Sequence, residues 1–178
     1  TGGAVDFNGA VTYPLGNVTN LSYTTVRVAG ADRSISFPAV VDIDGASFYV
    51  SDGARLSLPA VTSYAHASTG SNQDRRFQAI GAGSVLGLSG VTSITNGTGY
   101  SNHVFVEALN GGLIDLSAVT EIADGSGGFN DNRRRAVAVT ASGASSTVRL
   151  NSLTTLTDVR GGDTNLYADD AFSRLNAY

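Results

Sequence analysis

A seven-residue phrase returns along most of this chain and narrows the possible folds more than any other feature. Its form is an apolar residue, two small or polar residues, Val or Leu, usually Thr, one variable residue and a closing apolar residue. It begins at Leu15 (LGNVTNL), Phe37 (FPAVVDI), Leu58 (LPAVTSY), Leu88 (LSGVTSI), Leu116 (LSAVTEI) and Leu150 (LNSLTTL), with successive starts 22, 21, 30, 28 and 34 residues apart. A phrase that recurs on this scale reads as one turn of a stacked, repetitive scaffold.

Two positions ahead of each phrase stands another apolar residue: Tyr13, Ile35, Leu56, Leu86, Ile114 and Val148. The residue between (Pro14, Ser36, Ser57, Gly87, Asp115, Arg149) is small or polar. Alternation with period two marks a strand with one face inward. The spacing of three inside the phrase also fits a helix or a leucine-rich repeat, but Pro, Ser, Thr and Gly are poor helix formers, and no Asn ladder is present. The reading is all-β, a parallel β-solenoid of about six coils, with 1–178 as a single domain. Gly53, Gly83 and Gly111, each five residues before its Leu, fit corners where the backbone turns sharply. Tyr64 falls in the column of Ile94 and Ile122 and is expected in the core. The recurring threonines (Thr19, Thr62, Thr92, Thr120, Thr154) read as a hydroxyl ladder along a turn. The opening strand of each coil is placed at Phe48 to Val50, Phe77 to Ile80, Val104 to Ala108 and Val137 to Thr140, with Glu107 outward and the other positions unassigned.

Extra length enters at one place. Residues Ala65 to Arg75, Thr95 to Asn102, Ala123 to Arg133 and Thr157 to Asp170 all follow the closing apolar residue and precede the next opening strand, so these inserts should leave one corner. Residues 171–178 read as the opening of a further coil.

Composition removes several kinds of chemistry. The chain has no cysteine, which excludes disulfides, thiolate metal sites and a Cys nucleophile. Every positive charge is arginine and the net charge is −4, so non-specific attraction to nucleic acid is weak. No apolar run is long enough for a membrane span. The absence of methionine reads as a mature or excised piece of a larger protein. Three N-glycosylation triplets, at Asn17, Asn20 and Asn96, matter only in a eukaryotic secretory setting.

The phrases FQAIGAGSVLGL (Phe77 to Leu88) and GGLIDLSAVT (Gly111 to Thr120) resemble repeats of right-handed parallel β-helix modules of secreted bacterial proteins, and among them carbohydrate-binding module family 54. That resemblance covers roughly residues 13 to 156. It implies an extracellular or cell-surface module that holds β-glucan, xylan or chitin without cleaving it, tethered to other domains of a parent protein. It carries over no site residue.

Candidate binding residues come from the inserts. Tyr100, Phe129 and Tyr167 stand in different corner loops and would form a row for stacking on sugar rings; each would otherwise cover its own loop. Arg75-Arg76 and Arg133-Arg134-Arg135 end equivalent loops with His103 between them, a stacked basic stripe suited to uronic acid or sulfate. Local pairing with Asp74 and Asp131 is the plainer alternative. Asp124 and Asp131, with Asp163, lie in oxygen-rich Gly-containing stretches that admit calcium, though neither stretch has the spacing of an EF-hand. Asp115 and Arg149 share an outward column as a surface ion pair. The outward columns otherwise hold Ser, Thr, Gly and Ala, and no acidic pair recurs at glycosidase separation, which favours binding over catalysis. A structural adhesin segment, or a polysaccharide lyase or hydrolase, are the other readings.

Overall fold

The computed structural model describes residues 3–9, 13–68, 70–124 and 135–157, and the backbone of 163–169 and 174–177. The strands, in chain order, are β1 (Ala4–Phe7), β2 (Thr25–Ala29), β3 (Ser34–Ser36), β4 (Ser47–Ser51), β5 (Arg55–Ser57), β6 (Ser63–Ala65), β7 (Asp74–Ile80), β8 (Val85–Gly87) and β9 (Ser93–Thr95). They continue with β10 (His103–Leu109), β11 (Leu113–Asp115), β12 (Glu121–Ala123), β13 (Ala136–Ser142), β14 (Thr147–Leu150), β15 (Thr155–Thr157), β16 (Asp163–Asp169) and β17 (Arg174–Ala177). Among the described residues there is no helix.

The strands form three open parallel sheets: seven strands in the order β1-β2-β4-β7-β10-β13-β16, six in the order β17-β14-β11-β8-β5-β3, and four in the order β15-β12-β9-β6. From β4 onward the chain visits the three sheets in rotation, so equivalent residues of successive passes become hydrogen-bonded neighbours. Ile35, Leu56, Leu86, Ile114 and Val148 are consecutive in register, as are Tyr64, Ile94, Ile122 and Leu156. All of these are buried apart from Leu156, which is 44% exposed.

The opening strands alternate strictly. In β10, Val104, Val106 and Ala108 are buried while His103, Phe105, Glu107 and Leu109 are half-exposed, and β13 repeats this with Val137, Val139 and Ala141 inside. This settles the unassigned positions and puts Glu107 outward as expected. The strands are longer than the sequence reading: Asp74, Arg75 and Arg76 belong to β7 and not to a loop. The backbone adds a second correction. The stretch Thr157 to Asp170 contains β16, a full strand of the seven-stranded sheet in register with β13, and β17 pairs with β14 in the six-stranded sheet. The end of the chain is therefore the second strand of its pass, not the opening one.

Corners are fixed by backbone form and by hydroxyl bridges. Gly53, Gly83 and Gly111 have φ of +81°, +82° and +91°, the left-handed form expected of them. Ser84 Oγ donates to the Ile80 carbonyl at 2.7 Å and accepts from the Gly53 N–H of the neighbouring pass at 3.0 Å. Ser146 repeats this with Ser142 and Gly111. On another corner Thr92, Thr120 and Thr154 hydroxyls donate to the carbonyls of Thr62, Thr92 and Thr120, so the threonine ladder is real. Tyr64 is in the core as expected, its ring edge-on to Phe77 with centroids 4.6 Å apart and its hydroxyl donating to the Ala46 carbonyl at 3.1 Å.

Candidate functional site

Parallel pairing without slippage turns the outer side of the seven-stranded sheet into straight rows that run across the strands. One row is Asp6, Arg27, Tyr49, Gln78, Glu107, Thr140. A neighbouring row carries Thr25, Ser47, then Arg76, Phe105 and Ala138. Adjacent strands lie about 4.8 Å apart, so side chains in a row are in direct reach of one another.

The centre of this face is a hydrogen-bonded group. Arg76 Nη1 donates to both Glu107 carboxylate oxygens, at 2.9 and 2.8 Å, and Gln78 Nε2 donates to Glu107 Oε2 at 2.8 Å. The side chains of Arg76 and Glu107 are 31% and 19% exposed, enough for an arriving ligand to touch. Burial works against the Arg76 charge, but the bond and charge of Glu107 outweigh it, and its pKa rises above the ordinary arginine value. The guanidinium also lies 4.3 Å from the Phe105 ring centroid, and the His103 ring stacks on the same Phe105. His103 Nδ1 donates to Asp74 Oδ1 at 2.8 Å, and Asp74 Oδ2 is 3.9 Å from Arg76 Nη2. Further along, Arg27 pairs with Asp6 at 3.3 Å and faces the Tyr49 ring at 5.5 Å. Each positive group on this described face is thus beside a carboxylate, leaving planar donors and acceptors held rigidly side by side.

Beneath the inserts lies a second polar set, buried apart from the half-exposed Gln73. The residue that leaves the four-stranded sheet in successive passes is His66, Asn96 and Asp124; the residue that enters the seven-stranded sheet is Gln73, Asn102 and Arg135. His66 Nε2 donates to the Gln73 carbonyl at 2.9 Å, Asn96 Nδ2 donates to the Asn102 carbonyl at 2.8 Å, and Arg135 Nε lies 3.3 Å from Asp124 Oδ2. Each pair closes the base of its insert. Asn96 Nδ2 also reaches Asp124 Oδ1 at 2.9 Å and the Ala136 carbonyl at 3.2 Å, which ties one pass to the next. Burial pushes the His66 pKa down, because the charged ring would lose water.

The residues singled out in the sequence fall as follows. Tyr100 is 39% exposed in the turn before β10. Phe129, Arg133 and Asp131 lie outside the described residues. Tyr167 and Asp163 lie on β16, in register with Thr140 and Ala136, so Tyr167 is not in a corner loop with Tyr100. Arg75 pairs in register with the buried Val104 and donates to Gln73 Oε1 and the Asp74 carbonyl, while His103 is bound to Asp74. Of the expected basic stripe, Arg75 and His103 point to opposite sides of the sheet, Arg76 and His103 share the outer side against Phe105, and Arg134 with Arg133 lies outside the described residues. The plainer alternative, pairing with Asp74, holds for His103. Asp124 faces a buried guanidinium where a calcium ligand was considered, and among the described residues no three of His, Asp and Glu are grouped as metal ligands would be. Asp115 and Arg149 do pair, at 3.4 Å. Arg27, Tyr49, Gln78 and Phe105 were missed, although their alternation with buried residues in the opening strands was there to be read. Comparisons with known protein families, with curated proteins and with solved structures each returned no match.

Proposed function

We propose that this chain is a non-catalytic polysaccharide-binding module, coiled as a right-handed parallel β-helix, and that it binds on the outer side of its seven-stranded sheet. The observation that carries the reading is the contrast between faces. Outward positions of the six-stranded sheet carry Ser34, Ser36, Ser57 and Gly87 with Arg55 and the Asp115–Arg149 pair, and no aromatic ring among the described residues, whereas the long sheet gathers Tyr49 and Phe105 beside Arg27, Arg76, Gln78 and Glu107. Fixed planar hydrogen-bonding groups beside aromatic rings suit the hydroxyl-dense surface of a sugar polymer, and the backbone behind them is too regular to shift when the polymer docks. The rotation of the chain through three parallel sheets supports the coil. Recognition of β-glucan, xylan or chitin places the protein at the cell surface or outside the cell, attached to other domains.

The test is retention on insoluble β-glucan, xylan and chitin, comparing the parent chain with Tyr49→Ala, Gln78→Ala and Tyr100→Ala. Loss of retention with the first two and not the third assigns binding to the sheet. Loss with Tyr100→Ala alone moves the site back to the corner, and no retention on any polymer refutes the reading.

A further inference from the structure

The chain carries three N-glycosylation triplets, and the fold treats them differently. Asn17 and Asn20 are exposed, and Asn20 Nδ2 donates to Asp42 Oδ2 at the surface. Asn96 is only 3% exposed. Its Nδ2 is the donor to Asn102 O, Asp124 Oδ1 and Ala136 O, and its Oδ1 accepts from the Gly97 N–H at 2.8 Å. The rest of the triplet is equally committed: the Thr98 N–H donates to the Ser68 carbonyl of the previous pass at 3.1 Å, and a Cβ on Gly97 would stand 2.6 Å from that oxygen.

We infer that this chain folds where asparagine is not glycosylated, so that its route to the outside of a cell bypasses N-linked oligosaccharide transfer. Transfer replaces one of the two Nδ2 hydrogens by the anomeric carbon of the sugar; the proton is lost, and the lipid-linked pyrophosphate departs from that carbon. An Asn96 so modified keeps one N–H for the carbonyl and carboxylate oxygens it now serves in two passes. It must also place a sugar among the Asn102 carbonyl, the Asp124 carboxylate and the Ala136 carbonyl, all within 3.2 Å of the nitrogen that would carry it. Transfer precedes folding, so the glycan would block the closing of this insert instead of decorating it. The folding requirement rests on packing around Asn96 alone, while the destination outside the cell rests on the proposed function.

The experiment is secretion of the full chain from a eukaryotic cell behind a cleavable signal, with glycopeptide mass spectrometry on retained and secreted fractions. Thr98→Ala, which abolishes the acceptor triplet and leaves Asn96 in place, is compared with the parent. The expected result is glycan on Asn96 confined to retained, protease-sensitive chains, and a several-fold rise in secreted, protease-resistant protein for Thr98→Ala. Blocking lipid-linked oligosaccharide synthesis should raise secretion of the unmutated chain in the same way, which guards against a Thr98→Ala folding defect. A secreted, protease-resistant chain bearing glycan on Asn96 would overturn the inference, as would equal secretion of parent and variant with Asn96 unmodified.

Discussion

The N–H of Val41 donates to the Thr19 carbonyl at 3.0 Å, the same backbone contact that Thr92, Thr120 and Thr154 make with Thr62, Thr92 and Thr120. Those threonines add a hydroxyl bond to the same carbonyl, and Val41, 61% exposed, has no hydroxyl to give. Val41→Thr exchanges an exposed methyl for the missing donor with little change in shape or in β propensity. Water competes at this exposure, so the gain should be about 0.5 kcal/mol, or about 1–2 °C in Tm for a chain of this size. Thr120→Val should cost a similar amount. A Val41→Thr variant that melts below the parent would show that the ladder does not bear on stability.

Two corner glycines should fail for different reasons. A Cβ on Gly112 would stand 2.1 Å from the Ala79 carbonyl oxygen and 2.6 Å from its carbon, so the passes containing β7 and β10 would have to separate. A Cβ on Gly83 meets nothing nearer than 3.6 Å, but φ there is +82°. Gly83→Ala should therefore cost about 1 kcal/mol of backbone strain, and Gly112→Ala 3 kcal/mol or more, on the order of the largest overpacking penalties. Urea unfolding midpoints decide the order; equal losses would mean that the close approach at Ala79 relaxes freely.

What could be read from the sequence was what each residue demands by itself. Leu86, Leu88, Val91 and Ile94 must leave water wherever they are, and all four are fully buried. Arg76 and Glu107 are different, because they lie 31 residues apart and meet only through the register of β7 against β10. The same holds for Asp124, whose oxygen-rich neighbourhood reads alike as turn, calcium loop or ion pair until Arg135 is brought to it. The text of β16 reads as loop, since Asp163, Asn165 and Asp169 make it polar, and only its backbone pairing with β13 makes it a strand. Core columns were legible, and with them the Asp115–Arg149 pair that shares one column, whereas contacts made diagonally between strands, such as Arg76 with Glu107, were not.

Asp124 and Arg135 are both 0% exposed, so each charge depends on its neighbours inside the protein. Asp124→Asn keeps an oxygen for the Asn96 amide but leaves the Arg135 guanidinium without its carboxylate, and should cost about 3–5 kcal/mol. Replacing both, Asp124→Leu with Arg135→Met, should cost less than Asp124→Asn alone, since neither member of this pair is then left buried facing the loss of the other. Calcium is the discriminating addition. An ion held by Asp124 would raise the urea midpoint of the parent chain in proportion to its concentration, and the pairing with Arg135 predicts no such rise.

His66 makes the stability of the fold depend on pH in one direction. The ring is buried; its Nε2–H serves the Gln73 carbonyl, and among the described residues no donor reaches Nδ1, which holds a lone pair in the neutral form. Burial is the main cause of its lowered pKa, Arg75 lowers it further, and the Gln73 bond and Asp74 oppose the shift. In the unfolded chain the ring titrates at about 6.5. As pH falls through that value the unfolded chain takes up a proton that the folded chain refuses, so stability declines and continues to decline until the lower folded pKa is passed. The loss attributable to His66 should therefore set in below about pH 7, deepen on acidification and be absent above it. The measurement is the difference in urea midpoint between the parent and His66→Asn across this range: the gap should be widest at pH 7.5 and narrow on acidification. A gap that stays constant would mean that His66 is protonated in the folded protein as readily as in water.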